Sequence, residues 1–281
     1  MRILCDTLTA HGYLEKRDGR YALDPGCAPT LDRRSPAYMG SVVKFIASPP
    51  LMQAFADAAS AVRRGGTAME GEGSIAPEHP MWVEFARAMA PIAAMSAEMM
   101  AGLLDADAGR PWKVLDVAAG HGLFGVTIAR HDPNAEVVAL DWPNVLAVAA
   151  ENARAAGVAS RVRMLPGSAF TVDWGTSYDL VLLTNFLHHF DVPTCESLLR
   201  KAHAALAPGG RAVILEFVPD EGRTTPRQAA AFALTMLVTT PSGDAYTARD
   251  LDRMSRNAGF TGTELHLLPP GFQAVVVAFR D

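Results

Sequence analysis

Two groups of residues in this 281-residue chain have types and spacing suited to chemistry. The first is Asp116-Val-Ala-Ala-Gly120-His-Gly122, which ends the apolar run Lys113–Val117 and leads into a helical pattern. Gly120 and Gly122 allow a sharp turn and a close backbone approach to a ligand. The N–H groups that open the following helix suit a carboxylate. Asp141, at the end of the next apolar run, can accept hydrogen bonds from both hydroxyls of a ribose, and Asp116 is placed to meet an ammonium directly or through water. An amino-acid zwitterion joined to adenosine fits this mixture of acids and donors, whereas a dinucleotide would need phosphate-neutralising groups nearby. The plain structural alternative is that the glycines only turn the chain and Asp141 caps the helix before Pro143.

The second group is Leu187-His188-His189-Phe190, just after the apolar run Tyr178–Leu183. Histidine is the side chain best suited to taking a proton near neutral pH. Alternatively, His188 terminates a strand while His189 is solvated. A metal site on the pair with Asp191 is disfavoured, because neighbouring residues seldom converge on one ion without further ligands. Methionines and aromatics gather at Trp82, Phe85, Met89, Met95 and Met99, and again at Phe232 and Met236; core packing is the ordinary reading of such stripes.

The elements that must position these residues fall into two textures. Up to about Leu104 the pattern is mostly helical, and from Trp112 onward short β-branched runs alternate with amphipathic helices, the signature of a parallel sheet. Strands are expected at Lys113–Val117, Ala135–Leu140, Arg161–Leu165, Tyr178–Leu183 and Arg211–Phe217. Helices are expected at Leu123–His131, Asn144–Ala155, Pro193–Leu206, Pro226–Thr239 and Ala248–Ala258, the last opened by the capping-box-like Thr247-x-x-Asp250. Thr263–Leu267 and Gln273–Phe279 are joined too briefly for a crossover and form an antiparallel pair. The chain opens with a helix over Arg2–His11 and a hairpin around Asp18-Gly19, an arrangement like part of a winged helix whose apolar Ile3, Leu4 and Leu8 need cover. Helices follow around Ala37–Ala47 and Pro50–Arg64, then a long one over Pro80–Leu104 that Pro91 should kink or split.

The net charge of −5 argues against nucleic acid as a partner, since phosphate binding needs clustered positive charge. No run of eighteen apolar residues appears, so no membrane span is expected. The three cysteines are far apart without CxxC spacing, which points to a reducing cytoplasm rather than a disulfide framework or zinc site.

Nearly the whole chain resembles the class I S-adenosylmethionine-dependent methyltransferases, and more narrowly the dimeric small-molecule O-methyltransferases of plant phenolic, acetylserotonin and bacterial tailoring type. The resemblance is carried by DVAAGHG at Asp116, LDWPNV at Asp141, GSAF at Gly167–Phe170, NFLHHF at Asn185–Phe190 and LEFVPD at Leu215–Asp220. It implies an α/β fold: a Rossmann-like seven-stranded sheet with a terminal antiparallel hairpin, preceded by a mainly helical, partial winged-helix region. Residues 1–104 would form the dimerisation and substrate-lid part and 105–281 the catalytic domain. It implies S-adenosylmethionine as cofactor, with S-adenosylhomocysteine as product. Asp116, Ala118, Gly120, Gly122, Asp141, Trp142, Ser168, Ala169, Phe170, Thr184 and Asn185 would surround that cofactor. His188 would be the general base, oriented by Glu216. Trp82, Phe85, Met89, Phe232 and Met236 would wall a pocket for an aromatic or polyketide-like acceptor, with His79 either at its mouth or bonded to backbone. A homodimer is expected.

Several positions depart from the family pattern. Ala118 and Ala119 stand where glycines are usual, and alanine fits at such a site if its φ is negative. Ser168 replaces an aspartate that contacts adenine, and His189 replaces an aspartate. Family members run further at the N-terminus, where helices interleave two subunits. Ala245 stands where a second glutamate usually holds the catalytic histidine, so Tyr246 or Asp244 would have to compensate, or the chemistry would have moved to carbon or nitrogen methylation, or away from transfer. A winged-helix DNA-binding regulator is the rival reading, weakened by the single arginine of RILCDTLTAHG.

Overall fold

The computed structural model describes residues 1–35, 37–69, 71, 73–75, 78–79, 81–269 and 273–281. After residue 112 the short apolar runs become β3 (Lys113–Val117), β4 (Glu136–Asp141), β5 (Val162–Pro166), β6 (Tyr178–Thr184) and β7 (Leu206–Glu216), followed by β8 (Gly262–Leu268) and β9 (Gln273–Phe279). They form one sheet in the order β5-β4-β3-β6-β7-β9-β8. β3 pairs in parallel with both β4 and β6, and β9 runs antiparallel to β7 and β8. The strand order therefore reverses beside β3, so the carboxyl ends of β3 and β6 are where an open sheet of this kind receives a ligand.

Alternate strand residues enter two cores, because successive side chains point to opposite faces. Leu115 and Val117 join one core with Leu198 and Leu199 of α9 (Val192–Ala205) and Leu251 and Met254 of α11 (Ala248–Asn257). Val114 joins the other with residues of α6 (Met81–Leu103), α7 (Leu123–His131) and α8 (Pro143–Ala155). The expected capping box is present: Thr247 accepts from the Asp250 amide and the Asp250 carboxylate accepts from the Thr247 amide.

The N-terminal part holds α1 (Arg2–Ala10), the hairpin β1 (Leu14–Arg17) and β2 (Arg20–Leu23), then α2 (Ala28–Leu31), α3 (Val42–Ile46), α4 (Pro49–Ala56) and α5 (Ala58–Arg64). Asp18 and Gly19 both take positive φ, as a tight hairpin turn requires. Ile3 and Leu4 on α1 are 73% and 57% exposed.

Four expectations need correction. The helix foreseen over Ala37–Ala47 is only Val42–Ile46, and Ala28–Leu31 forms a short helix instead. The helix foreseen over Pro50–Arg64 is interrupted at Asp57, whose ψ of 23° ends α4 before α5 begins. Pro91 does not split α6, which is one helix of 23 residues. Ala86, Ala88, Ala93 and Ala97 bury that helix on both sides of the proline, and this packing outweighs the one backbone bond a proline removes. Finally, β7 begins at Leu206, so Pro208-Gly209-Gly210 lies within the strand rather than ahead of it. Pro80 lies outside the described residues.

Candidate active site

The loop after β3 is built around two carboxylates. Asp116 is fully buried, and its Oδ2 accepts from the Gly125 amide at 3.1 Å. Its Oδ1 is enclosed and has no partner. Burial pushes this carboxyl up to about 7, with Asp141 adding to the rise. Asp141 is half-buried at the end of β4. One of its oxygens accepts from the Gly120 amide at 2.7 Å and the other from the Trp142 amide at 2.6 Å. Burial raises it to about 6 against these two bonds. Asp141 thus fixes the glycine loop and keeps further lone pairs on both oxygens.

Ala118 has φ of +53°. The condition of a negative angle is not met: alanine occupies the left-handed region where its Cβ crowds the following carbonyl, which costs roughly 1–2 kcal/mol. Gly122 also has positive φ, and a Cβ on it would stand 2.7 Å from the Ala149 Cβ, so α8 passes too close for any other residue.

The N-terminus of α7 is less open than its position suggests. The Leu123 amide donates to His121 Nδ1 at 3.2 Å, and the Gly125 amide is taken by Asp116. His121 is therefore neutral with its proton on Nε2, and burial pushes its pKa down to about 4. Gly125 escaped the sequence reading, although a Cβ there would meet Val137 Cγ1 at 2.6 Å and Asp116 Oδ2 at 3.1 Å. The one available signal is a glycine inside an otherwise helical stretch.

Past β5 the backbone turns at Gly167, whose amide donates to the Asp141 carbonyl. Ser168 Oγ accepts from the Phe170 amide at 3.2 Å. Ala169 is buried, and Phe170 is exposed on one side while its ring meets Phe190 edge-on at 5.2 Å. Thr184 is buried at the end of β6. Asn185 follows with φ of +52°, and its Oδ1 accepts from Gln273 Nε2 at 2.9 Å. Ser96 Oγ in turn donates to Gln273 Oε1 at 2.8 Å, which ties α6 and β9 to the end of β6. Sequence reasoning had no signal for that glutamine, because β9 pairs with β7 only through the tertiary fold.

His188 stands on a single turn after β6, 5% exposed. Its Nδ1 lies 2.5 Å from Glu216 Oε2. The other oxygen, Oε1, accepts from the amides of Phe186, Leu187 and His188 at 3.0, 2.9 and 3.3 Å. One buried glutamate thus fixes both the turn and the imidazole. With its Nδ1–H donating to the carboxylate, the ring presents the Nε2 lone pair, which has no hydrogen-bond partner among the described residues. Such a dyad can take a proton from a substrate hydroxyl.

His189 is half-buried rather than free in solvent. Its ring lies 4.2 Å from that of His188 and meets Trp82 edge-on at 5.3 Å. Its Nδ1 is enclosed without a partner. Burial, then the neighbouring His188, hold its pKa well below the usual histidine value. Asp191 caps α9, accepting from the Thr194 amide at 2.9 Å.

Of the expected pocket residues, Phe232 meets His188 edge-on at 4.8 Å and stacks on Phe217 at 4.1 Å. Trp82 touches Phe85 as well as His189, and packs with Trp142 on Ala86, Val145 and Val148. Met236 is buried on α10 (Arg227–Thr239). Met89 is half-buried and makes no described ring contact with the histidines. Met95 and Met99 line a separate cavity of about 60 Å³ with Ser96 and Gln273. His79 accepts from the Met81 amide, the backbone-bonded alternative.

Neither proposed substitute for the missing second glutamate reaches the imidazole. Tyr246 donates to the Phe190 carbonyl, and Asp244 pairs with Arg223 at 2.7 Å. Ala245 is buried, and His188 is held by a carboxylate from one side only.

A family model described as the O-methyltransferase domain matches residues 77–261. The 3-hydroxy-5-methyl-1-naphthoate 3-O-methyltransferase of Streptomyces sahachiroi is 28% identical, covering 99% of this chain and 81% of its own. The tetracenomycin polyketide synthesis 8-O-methyl transferase TcmO of Streptomyces glaucescens is 27% identical, over 92% of this chain and 77% of its own. A crystal structure from Nostoc punctiforme, of a protein provisionally named an O-methyltransferase, superposes with a TM-score of 0.96 at 50% identity, covering 99% of this chain and 84% of that one. Fold and comparisons together define an S-adenosylmethionine-dependent methyltransferase. Within that class the chain belongs to the O-methyltransferase family, and S-adenosylmethionine is its cofactor.

The residues present fit that cofactor. The enclosed, unpartnered Asp116 Oδ1 suits an ammonium, and Asp141 keeps lone pairs for ribose hydroxyls.

Proposed function

We propose that this enzyme methylates a hydroxyl of a small aromatic or polyketide-like acceptor, with His188 as general base. The observation that carries the reading is the buried dyad: Glu216 at 2.5 Å fixes the tautomer of His188 and leaves Nε2 free. S-adenosylmethionine, when bound, supplies a methyl group on a sulfonium. Asp116 holds its ammonium, Asp141 its ribose, and Gly120 and Gly122 let the backbone approach. Ala118, Trp142, Ser168, Ala169, Phe170, Thr184 and Asn185 complete the surround. His188 Nε2 takes the acceptor proton as the oxygen attacks, while Glu216 stabilises the imidazolium that forms. Trp82, Phe85, Met89, Phe232 and Met236 shape an apolar acceptor pocket. Relatives named for a naphthoate and for tetracenomycin synthesis support the acceptor class.

Residues 1–104 serve as the dimerisation and lid part and 105–281 as the catalytic part, in a homodimer whose second copy covers Ile3 and Leu4. Light scattering should give twice the chain mass. No helix among the described residues is long and apolar enough to cross a membrane, and three free cysteines fit the cytoplasm. The second reading, methylation of carbon or nitrogen, is favoured only by the one-sided support of His188. Mass spectrometry of phenolic acceptors incubated with enzyme and S-adenosylmethionine separates the two. The first reading expects O-methyl ethers and S-adenosylhomocysteine in equal amounts; a product methylated on carbon or nitrogen overturns it.

A further inference from the structure

Lys201 lies on α9, some thirty residues beyond the loop after β5, yet its side chain ends in that loop. Its Nζ donates to the carbonyls of Ala169, Phe170 and Val172 at 2.7, 3.2 and 2.6 Å. Three main-chain carbonyls converging on one ammonium exhaust its three donors. The same Nζ sits 4.9 Å from the Trp174 ring centroid, and the Trp174 Nε1 donates to the Ala169 carbonyl at 3.0 Å. Trp174 is 2% exposed, so the platform beneath the lysine is rigid. Burial lowers the Lys201 pKa and nearby Asp173 opposes that, as expected of an ammonium drawn out of water towards carbonyls.

The loop clamped in this way is the one that carries Ser168. Within it the Thr171 and Val172 amides donate to the Ser168 carbonyl, and the Phe170 amide donates to Ser168 Oγ. The peptide unit whose carbonyl belongs to Ala169 is the one whose N–H belongs to Phe170. A cation on that carbonyl polarises that N–H, because hydrogen bonds in series strengthen one another. The result is a relay: Lys201 ammonium, Ala169 carbonyl, Phe170 amide, Ser168 hydroxyl. The Ala169 amide has no acceptor among the described residues, so it remains available as a donor from the same clamped turn.

We propose that Lys201 is a positioning residue for the nucleoside half of the cofactor, holding the Gly167–Val172 turn so that Ser168 and the Ala169 amide meet the adenine edge. The inference rests on the cofactor-site reading given above. Its physical logic is pre-organisation. A serine hydroxyl is a weaker adenine partner than a carboxylate, and a turn already fixed in its bound conformation loses less entropy on binding. Lys201 touches neither substrate nor cofactor and acts only through the turn.

Calorimetry with S-adenosylhomocysteine tests it on Lys201→Met, Ser168→Ala, the double variant and Asp141→Ala. Lys201→Met should weaken binding by about tenfold or more, the loss of at least one charge-assisted bond. In the Ser168→Ala background the same substitution should cost at least about threefold less, because the relay has lost its end. A lysine serving general stability would give the same factor in both backgrounds. If Lys201→Met fails to fold, Lys201→Arg, which keeps the charge but not the three-carbonyl geometry, is used in the same cycle. Wild-type affinity in the Lys201 variant, or strictly additive losses, overturns the proposal while Asp141→Ala still weakens binding. Unchanged affinity in Asp141→Ala overturns the cofactor-site reading itself.

Discussion

Asp116→Asn should make the free protein more stable and the cofactor complex weaker, with opposite signs from one side chain. Asp116 is fully buried, accepts one backbone bond and leaves Oδ1 unpartnered, and its carboxyl sits at about 7 rather than 3.8. A carboxyl whose folded value lies above its unfolded value adds stability that is complete in acid and is lost as pH rises towards 7. Asparagine neither ionises nor gives up the acceptor for the Gly125 amide. The stability gap between variant and wild type should therefore widen in the variant's favour by about 2–3 kcal/mol from pH 5 to pH 8. Urea unfolding at the two pH values measures it. Binding goes the other way. In the proposed site the ionised carboxylate meets the cofactor's ammonium, so the variant should bind S-adenosylhomocysteine roughly ten- to a hundredfold more weakly at pH 8, the worth of one charge-assisted bond. Wild-type affinity should fall between pH 8 and pH 6 as Asp116 takes up its proton, and the variant should lose most of that dependence. The remaining slope belongs to Asp141, raised to about 6. Equal affinities for variant and wild type at pH 8, or a stability gap that does not change with pH, would refute the reasoning.

Three further substitutions give distinct outcomes. Ala118→Gly removes a Cβ from a residue at φ +53° and should stabilise the protein by about 0.5–1 kcal/mol once glycine's greater unfolded freedom is subtracted; a lower melting temperature contradicts it. Glu216→Ala strips three buried amides and an imidazole of their acceptor and should cost about 3 kcal/mol or more in denaturant melts, whereas a loss under 1 kcal/mol would show that the turn stands without the carboxylate. His189→Phe removes an enclosed, unpartnered nitrogen and should leave unfolding free energy unchanged or raise it by up to about 1 kcal/mol; a clear loss would mean that the nitrogen has a partner in solution.

Most of the catalytic half was legible because its signals are local. β3, α7 and β9 match the expected bounds residue for residue. The acidic ends of β3 and β4 and the histidine after β6 were expected at one sheet edge because a parallel sheet brings the carboxyl ends of its strands together. Side-chain roles set by distant elements were not legible. Asp141 turned out to brace the glycine loop, and Lys201 and Gln273 reach their partners across the fold. The first half was read least well. Its helices are short, and nothing in the local pattern around Asp57 marks the break between α4 and α5. Pro91 misled for the opposite reason, because burial of an alanine-rich helix overrode a strong local signal.

The central claim is that His188 takes the acceptor's proton while Glu216 holds its ring. The most direct measurement is single-turnover methyl transfer to a phenolic acceptor by His188→Gln, with S-adenosylhomocysteine affinity determined on the same preparation. The account predicts cofactor affinity within about twofold of wild type and a transfer rate lower by roughly 10²–10⁴-fold, the usual worth of general-base catalysis. Transfer at the wild-type rate by a variant that still binds the cofactor would contradict it, and would leave proximity alone to drive attack by an already ionised or carbon nucleophile.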